Sequence, residues 1–273
     1  MTLYQADQQI FDRYWATERK DGRLVYRQIS RNQRYYRTLM KWLNTVDSNK
    51  PCTLEIGCGT AIDSYYLAEI AEVEPFGVDL SEEALRHARS LQRFFRCPVT
   101  LIQGNAERLG FADCTFDLVF SSGVLEHFRD PAQVMLEQRR VLKRNGVLVI
   151  HVPQKYNLYA LYANLKIKRG TWPWGWERQY SADNMRKLAE QFGFELVEVV
   201  GCNSALLELL RWINTKDLAT EPKCYHAPLP GLRGLIDKGI GWCENLLHGL
   251  PTYDRISRFV SMMIIGVYRK PSQ

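Results

Sequence analysis

Cys52-Thr-Leu-Glu-Ile-Gly-Cys-Gly-Thr-Ala61 begins as an apolar strand and runs into a tight turn that holds two glycines. The residues that follow, 62–71, have helical character. Glycines let a backbone pass close to a ligand where a Cβ would collide, and the first turn of a helix offers unpaired N–H groups. A strand, a glycine turn and a helix in this order predict a nucleotide-type binding site.

A second apolar run supplies the context that a short glycine motif needs. Residues 76–80 include Asp79, which lies 20 positions beyond Gly59, and Ser81 opens the next helix as its N-cap. At this spacing, a carboxylate at the tip of the second strand reaches a ribose diol. The sequence therefore predicts that Asp79 binds a ribose.

The turn favours a nucleoside without phosphates. A dinucleotide motif would place a third glycine where Ile62 stands, and the turn has no Arg or Lys to meet a pyrophosphate. Glu55 precedes the turn, which suits a cationic ligand with an amino group. S-adenosylmethionine carries a ribose, a sulfonium and an ammonium, and it has no phosphate, so it fits these residues.

From this point the sequence resembles the class I S-adenosylmethionine-dependent methyltransferases, in the broad small-molecule group called type 11. Five blocks carry the resemblance in the family's order: 54–61, 77–81, 104–111, 116–128 and 141–150. The chain departs from the usual pattern at Asn105, where the family has an acid, and at Gly110, where it has a proline. Asn105 can still bond the adenine amino edge through its amide.

The resemblance implies a Rossmann-like, doubly wound α/β fold with a mostly parallel seven-stranded sheet and an antiparallel last strand. The alternation of strand and helix patterns agrees, because buried parallel strands need helices on both faces of the sheet. We expect a helical N-terminal cap over 1–46, a cofactor-binding core over 47–200, a helical insertion over 201–257, and the last strand with a tail over 258–273. Packing on the core, a lid over the acceptor, a homodimer contact and peripheral lipid contact are all open for the insertion.

Ligands of such sheets bind at the carboxyl ends of the strands. The resemblance therefore implies that S-adenosylmethionine, and its product S-adenosylhomocysteine, contact residues at those ends. The predicted cofactor residues are Glu55, Gly57, Cys58, Gly59, Asp79, Leu80, Asn105, Ala106 and Ser121.

Aromatic residues concentrate after the fifth predicted strand, where three tryptophans fall within 172–176. Such rings either cap the core, line a pocket for an apolar or aromatic acceptor, or touch lipid. The predicted acceptor pocket comprises Tyr156, Trp172, Trp174, Trp176 and Tyr180.

Methyl transfer from a sulfonium is an in-line displacement, in which an enzyme mainly aligns the acceptor, the methyl carbon and the sulfur. A hydroxyl or ammonium acceptor also wants a base. His127, just past the fourth predicted strand, is the candidate base, with a structural role equally open. His151 lies inside the fifth predicted strand, where a histidine of the core or near the pocket is expected.

The net charge of +6 is concentrated near the N-terminus, because residues 12–41 hold nine basic and three acidic side chains. This segment is either a solvated basic face, a receiver for an anionic acceptor through Arg27, Arg31 and Arg34, or an RNA-binding surface. The charge is modest for a nucleic-acid partner, so a small-molecule acceptor is the expected partner.

The seven cysteines are scattered and form no C-x-x-C pair, which indicates a reducing compartment and no metal site. No signal peptide is expected from the N-terminal residues, and the longest apolar run, 259–267, is shorter than the ~20 residues of a membrane span. The expected location is the cytoplasm.

These features predict methyl transfer from S-adenosylmethionine to an oxygen or nitrogen of a small-molecule acceptor. Three alternatives are open. The chain could be a non-catalytic S-adenosylmethionine-binding regulatory subunit, an RNA-directed methyltransferase that uses the basic segment, or a nicotinamide-dependent dehydrogenase.

Overall fold

The computed structural model describes residues 33–204 and 261–272. Within these ranges, strands and helices alternate along the chain as the sequence patterns predict. The strands are β1 (Cys52–Ile56), β2 (Glu74–Asp79), β3 (Thr100–Gln103), β4 (Phe116–Ser122), β5 (Leu142–Pro153), β6 (Glu195–Ser204) and β7 (Ser261–Arg269). The helices are α1 (Gln33–Leu43), α2 (Ile62–Ile70), α3 (Glu82–Leu91), α4 (Ala132–Val141), α5 (Leu158–Lys168) and α6 (Ala182–Phe192).

The seven strands form one sheet in the order β3-β2-β1-β4-β5-β7-β6. Strands β1 to β5 pair in parallel, whereas β7 lies between β5 and β6 and runs antiparallel to both. The predicted fold class is confirmed, including the antiparallel last strand. Because β1 pairs with both β2 and β4, the strand order reverses at β1, and ligands of such sheets bind outside the carboxyl ends at this switch point.

The sheet is covered on both faces, and β5 shows how its sequence serves both. Leu148, Ile150 and Val152 contribute to one buried cluster, which includes residues of α4 and α6. Val147 and Val149 contribute to the cluster on the opposite face, which includes residues of α1 and α2. A strand with two buried faces reads as a continuous apolar run, which is why the sequence pattern of β5 is so clear.

The ends of α6 follow from local chemistry. The Ser181 hydroxyl accepts the Asn184 N–H, and the Asn184 side chain accepts the Ser181 N–H, which is a capping box. Gly193 ends the helix with φ of 67°, in the left-handed region that favours glycine. Both ends agree with the sequence pattern.

Strand β5 differs from the simplest expectation. Asn145-Gly146 predicts a turn with a strand beginning at Val147, yet strand pairing extends back to Leu142. Leu142 pairs with Phe116 on the far side of a register shift in β4 and β5. Asn145 takes φ of 60° inside this irregular stretch, so the turn residues mark an irregularity in a strand rather than its start.

Several expectations lie outside the described residues. These are residues 1–32 of the N-terminal cap, with Arg27 and Arg31, and nearly all of the insertion at 201–257. Helix α1 belongs to the second half of the cap and packs on the sheet through Tyr35, Leu39 and Leu43. Among the described helices, none combines the length and the apolar character that a bilayer crossing requires.

Candidate cofactor and acceptor site

The turn between β1 and α2 uses left-handed backbone at three positions. Gly57, Gly59 and Ala61 have φ of 64°, 53° and 54°. The Cys58 N–H bonds to the Val78 carbonyl of β2 at 3.0 Å. A Cβ on Gly57 would lie 2.4 Å from Val124 Cγ2, so this position needs glycine for space as well as for conformation.

Asp79 ends β2, and its carboxylate lies against the glycine turn. Oδ2 accepts the Gly59 N–H at 2.7 Å, and Oδ1 accepts the Ser81 N–H at 2.9 Å. These bonds fix the carboxylate beside the glycine turn at the carboxyl end of β2, and its contact with a ribose stays a prediction. A carboxylate accepts about four hydrogen bonds, so both backbone contacts are compatible with an additional diol contact.

Glu55 is engaged with the protein itself. It is 4% exposed, and it accepts the Ser64 N–H at 3.0 Å and the Ser64 hydroxyl at 2.5 Å. Burial, and after it the charge of Asp63, raises the pKa of Glu55. The carboxyl group therefore fastens the first turn of α2 to β1, and its contact with a cofactor ammonium stays a prediction.

Cys58 is also a packing residue. Its side chain is buried in a cluster with apolar residues of α2 and α3, and burial raises the pKa of its thiol. A buried thiol in apolar surroundings is inert. The backbone of Cys58, rather than its sulfur, shapes the turn.

The loop after β3 carries Asn105 and Ala106 to the same edge of the sheet. The Gly104 N–H bonds to the Asp79 carbonyl at 2.9 Å, which ties the start of the loop to the end of β2. Asn105 Oδ1 accepts the Glu107 N–H at 2.8 Å. The amide oxygen therefore stiffens the loop, and a bond to adenine through the amide NH₂ stays a prediction.

An ion pair on α4 fixes the far part of this loop. Arg140 contacts Glu137 through Nε–Oε1 at 2.7 Å and Nη2–Oε2 at 2.8 Å. It also donates to the carbonyls of Leu109 at 2.9 Å and Phe111 at 2.7 Å. The Arg140 guanidinium holds the pKa of Glu137 below its usual value. A two-pronged guanidinium–carboxylate contact is directional as well as strong, so this pair holds the loop in one conformation.

Two residues complete the edge. The Leu80 carbonyl accepts the Gln103 amide at 3.1 Å, and Ser121, which is 1% exposed, lies in β4 opposite Ile56 of β1. The predicted cofactor residues therefore meet at the adjacent carboxyl ends of β3, β2, β1 and β4. This edge is where a doubly wound sheet binds a nucleoside.

A family model described as a methyltransferase domain matches residues 54–150, the segment that contains this edge. The demethylmenaquinone methyltransferase of Alkalihalophilus pseudofirmus is 32% identical over 169 residues, which cover 54% of this chain and 71% of that protein. The chain belongs to the class I S-adenosylmethionine-dependent methyltransferases. Their cofactor is S-adenosylmethionine. It carries a ribose, which suits Asp79, and it has no phosphate, which suits a turn without Arg or Lys.

Solved structures of other methyltransferases share the fold. An S-adenosylmethionine-dependent methyltransferase of Thermotoga maritima has a TM-score of 0.57 at 17% identity, over 97% of this chain and 99% of that one. Phosphoethanolamine N-methyltransferase 2 of Haemonchus contortus, in complex with S-adenosyl-L-methionine, has a TM-score of 0.55 at 20% identity, over 86% of this chain and 53% of that one. The chain spans 39%, 53% and 35% of the lengths of the curated relatives that it matches first.

His127 closes a short 3-10 helix, Leu125–His127, just after β4. Its Nδ1 lies 3.3 Å from the Trp176 carbonyl oxygen. Because a carbonyl oxygen only accepts, this contact places the proton on Nδ1 and the lone pair on Nε2. Burial lowers the pKa of His127 to about 4, so the imidazole is neutral at physiological pH and is a weak base. Its role as the general base stays a prediction.

The predicted acceptor residues fall into two groups. Trp172 and Trp174 meet with ring centroids 5.1 Å apart, and Trp172 also packs against Tyr159 and Tyr162 of α5. Trp176 lies elsewhere, beneath two guanidinium groups and beside His127. The centroid of its ring is 4.8 Å from Arg129 Cζ and 5.8 Å from Arg178 Cζ. The three tryptophans therefore do not form one continuous surface.

The remaining two acceptor residues differ in burial. Tyr180 is 2% exposed, and its hydroxyl donates to the Leu125 carbonyl at 3.3 Å. Its backbone bridges to Gln154 at the end of β5. Tyr156 is 58% exposed, with Lys155 Nζ 5.6 Å from the centroid of its ring. Tyr180 anchors the loop to the sheet, whereas Tyr156 faces solvent at the edge of the site.

His151, which the sequence predicts as a histidine of the core or near the pocket, is buried in a polar cluster on the α1 face of the sheet; its partners Ser122 and Tyr35 are not predicted from the sequence. His151 is 3% exposed; its Nδ1 lies 2.9 Å from Ser122 Oγ, and its ring stacks on Tyr35 at 4.8 Å. Burial lowers the pKa of His151 to about 3. Its Nε2 and the Tyr35 hydroxyl have no hydrogen-bond partner within the described part of the chain. Ser122 of β4 pairs with His151 of β5 in the sheet. A prediction of the register between these two strands would have brought the two residues together.

Glu126 is the second residue that sequence reasoning missed. It stands between Leu125 and His127 and is 3% exposed, although an acid is expected in water. Burial, and then the charge of Glu177, raises its pKa. One feature of the sequence could have pointed to Glu126. It is an acid among apolar residues, and it follows a strand whose end lies at the cofactor edge.

Proposed function

We propose that this chain transfers the methyl group of S-adenosylmethionine to an oxygen or nitrogen atom of a small-molecule acceptor by in-line displacement. The observation that carries the proposal is the meeting of the glycine turn, the Asp79 carboxylate and the Asn105 loop at one edge of the sheet. His127 lies just beyond β4, next to this edge. The loop that holds the three tryptophans, residues 171–177, contacts His127 there and is called the tryptophan loop. Cofactor residues and candidate acceptor residues therefore occupy adjacent strand ends.

Bound S-adenosylmethionine supplies a methyl group already activated by the sulfonium. The chain's own residues then have two tasks. The turn at Gly57 and Gly59, with Asp79, holds and orients the nucleoside, and orientation of this kind contributes about 7–11 kcal/mol toward a barrier. His127 Nε2 takes a proton from the acceptor where the attacking atom carries one.

The relatives support the class of acceptor. The names of two similar proteins give demethylmenaquinone and phosphoethanolamine, which are both small molecules. Trp174, which is half-buried and packs edge-on against the buried Trp172, offers an apolar face that suits an aromatic acceptor. A non-catalytic regulatory subunit is the second candidate, with the replacement of the usual acid by Asn105 in its favour.

Replacement of Asp79 by alanine tests the cofactor site. We expect the affinity for S-adenosylhomocysteine to fall about 10- to 100-fold, because loss of the charge-assisted contacts to the diol costs about 1.5–3 kcal/mol in total. Isothermal titration calorimetry measures the change, and Asp183→Ala on the exposed side of α6 is the control. Asp79→Asn separates the loss of charge from damage to the turn. Unchanged affinity in both Asp79 variants would contradict the ribose role.

Methyl transfer itself is tested with labelled S-adenosylmethionine and fractionated cell extract. We expect label in the small-molecule fraction. Label in RNA would replace the proposal by an RNA-directed methyltransferase. Tight cofactor binding without any labelled product would favour the regulatory subunit.

A further inference from the structure

Glu126 has one carboxyl oxygen without a partner in the described protein, although its carboxyl group also takes part in a hydrogen bond with its own backbone N–H. Its side chain is 3% exposed, and Oε2 is buried without a hydrogen-bond partner in residues 33–204 and 261–272. Leaving a buried acceptor unsatisfied costs about 1–3 kcal/mol, and more for a charged group. Such a group in a folded protein calls for an explanation, and a bound ligand is one.

The other carboxyl oxygen lies near Gly123. A Cβ built on Gly123 would lie 3.7 Å from Glu126 Oε1 and would meet no other atom within 4 Å beyond its chain neighbours. Gly123 follows β4 directly, and its neighbour Val124 covers Gly57 of the cofactor turn. The room beside Gly123 therefore lies between Glu126 Oε1 and the residues that adjoin the turn.

A second buried carboxyl group lies close to Glu126. Glu177 is 7% exposed, and its charge acts on Glu126. The Arg178 N–H donates to the Glu126 carbonyl at 2.8 Å, which joins the tryptophan loop to the 3-10 helix. Gln179 reaches Glu177 at 3.5 Å, a long contact between neutral and acidic groups.

No cation of the described chain neutralises this acid pair. The ion pairs that the structure shows for residues 33–204 and 261–272 use other carboxylates. The nearby guanidinium groups of Arg129 and Arg178 lie over the Trp176 ring instead. Buried acids without a cationic partner either stay protonated or receive a cation from a ligand.

On the basis of the proposed function, we infer that the acceptor carries an amine, and that Glu126 binds this amine in the space over Gly123, with Glu177 beside it. A protonated amine donates up to three hydrogen bonds, so it satisfies Glu126 Oε2, and its positive charge offsets the charges of both carboxyl groups. An alcohol donates one hydrogen bond and brings no charge.

The test uses paired probes, because the acceptor is unidentified. Aromatic and aliphatic primary amines, 2-phenylethylamine among them, are titrated calorimetrically into the chain saturated with S-adenosylhomocysteine. Each amine is matched with its alcohol, as 2-phenylethanol matches 2-phenylethylamine. We expect at least one amine to bind about tenfold or more tightly than its alcohol. Amines that bind no better than their alcohols would overturn the inference.

Glu126→Gln keeps the shape of the side chain and removes its charge. We expect it to weaken amine binding about tenfold or more, while the affinity for S-adenosylhomocysteine changes less than about twofold. Glu177→Gln should weaken amine binding less, and Glu190→Gln on the exposed face of α6 should change neither affinity. Glu126→Asp keeps the charge but withdraws it, and it serves as the second variant if the glutamine variant does not fold.

The outcomes separate this inference from the function on which it rests. Loss of S-adenosylhomocysteine affinity in Glu126→Gln, with amine binding intact, would assign Glu126 to the cofactor ammonium and overturn the inference. Unchanged amine binding in Glu126→Gln would also overturn it. Failure of the unaltered chain to bind S-adenosylhomocysteine at all would instead contradict the proposed function.

Discussion

At the scale of single residues, the cofactor turn depends on Gly57 for two separate reasons. Its φ of 64° lies in the left-handed region, and its missing Cβ leaves room for Val124. The first reason costs a non-glycine residue about 1–2 kcal/mol. The second adds an overpacking cost of about 1–3 kcal/mol. A side chain at position 57 therefore meets both a conformational and a packing cost.

The two costs can be measured separately. Gly170 has φ of 65° and open space where a Cβ would stand, so Gly170→Ala reports the conformational cost alone. We expect Gly57→Ala to lower the free energy of unfolding by at least about 1 kcal/mol more than Gly170→Ala does. Urea denaturation gives both values. The double variant Gly57→Ala/Val124→Ala should recover most of the difference, and equal losses in the two single variants would show that space at Gly57 does not matter.

At the scale of elements, the loop after β3 is held at both ends by long-range contacts. At its start, the Asp79 carbonyl accepts the N–H of Gly104. At its far end, Arg140 of α4 donates to the carbonyls of Leu109 and Phe111. The loop therefore depends on a side chain about thirty positions further along, since the contacts of Arg140 to these carbonyls span 29 and 31 residues. Local sequence pattern cannot reveal such a contact.

Arg140→Lys tests this clamp. Lysine keeps the charge but cannot make the two-pronged contact to Glu137 together with both carbonyl bonds. We expect a loss of about 1–3 kcal/mol in the free energy of unfolding and weaker binding of S-adenosylhomocysteine. Arg186→Lys, in an exposed ion pair with Asp183, is the control and should change stability by less than about 1 kcal/mol. If the free energy of unfolding falls equally little in both variants, the contacts of Arg140 with Glu137 and the two carbonyls do not order the loop.

The elements also show what a sequence can and cannot predict. The N-cap at Ser181 and the end at Gly193 depend on residues within one helical turn, so the pattern locates them. The separation of Trp176 from Trp172 and Trp174 depends on how the loop returns to β4 and β5, which no local pattern contains. For the same reason, the sequence placed the glycine turn and Asp79 at one edge but missed the carboxyl pair of Glu126 and Glu177.

At the scale of the whole molecule, buried carboxyl groups make stability depend on pH. Burial, with the charge of Glu177, raises the folded-state pKa of Glu126 above its unfolded value. Stability from such a group is fully present below the unfolded pKa, about 4.3, and it is lost as pH rises through the folded pKa. Glu177, whose pKa burial also raises, acts in the same direction. The Tyr180 phenol, whose raised pKa partly reflects Glu126, stays neutral over this range.

We therefore expect Glu126→Gln to stabilise the ligand-free chain relative to the unaltered chain at pH 8, with the difference shrinking toward pH 4. Thermal unfolding at several pH values measures this difference in Tm. Glu190→Gln is the matched control and should track the unaltered chain. A difference that stays constant with pH would show that Glu126 does not titrate between the two states in this range.

The central claim is that S-adenosylmethionine lies across the carboxyl ends of β1 and β2, with its ribose on Asp79. A crystal structure of the chain with S-adenosylhomocysteine tests this most directly. We predict density that passes over Gly57 and Gly59, with both ribose hydroxyls within about 3.2 Å of the Asp79 carboxylate. An empty glycine turn, with the ligand bound elsewhere on the molecule, would contradict the account.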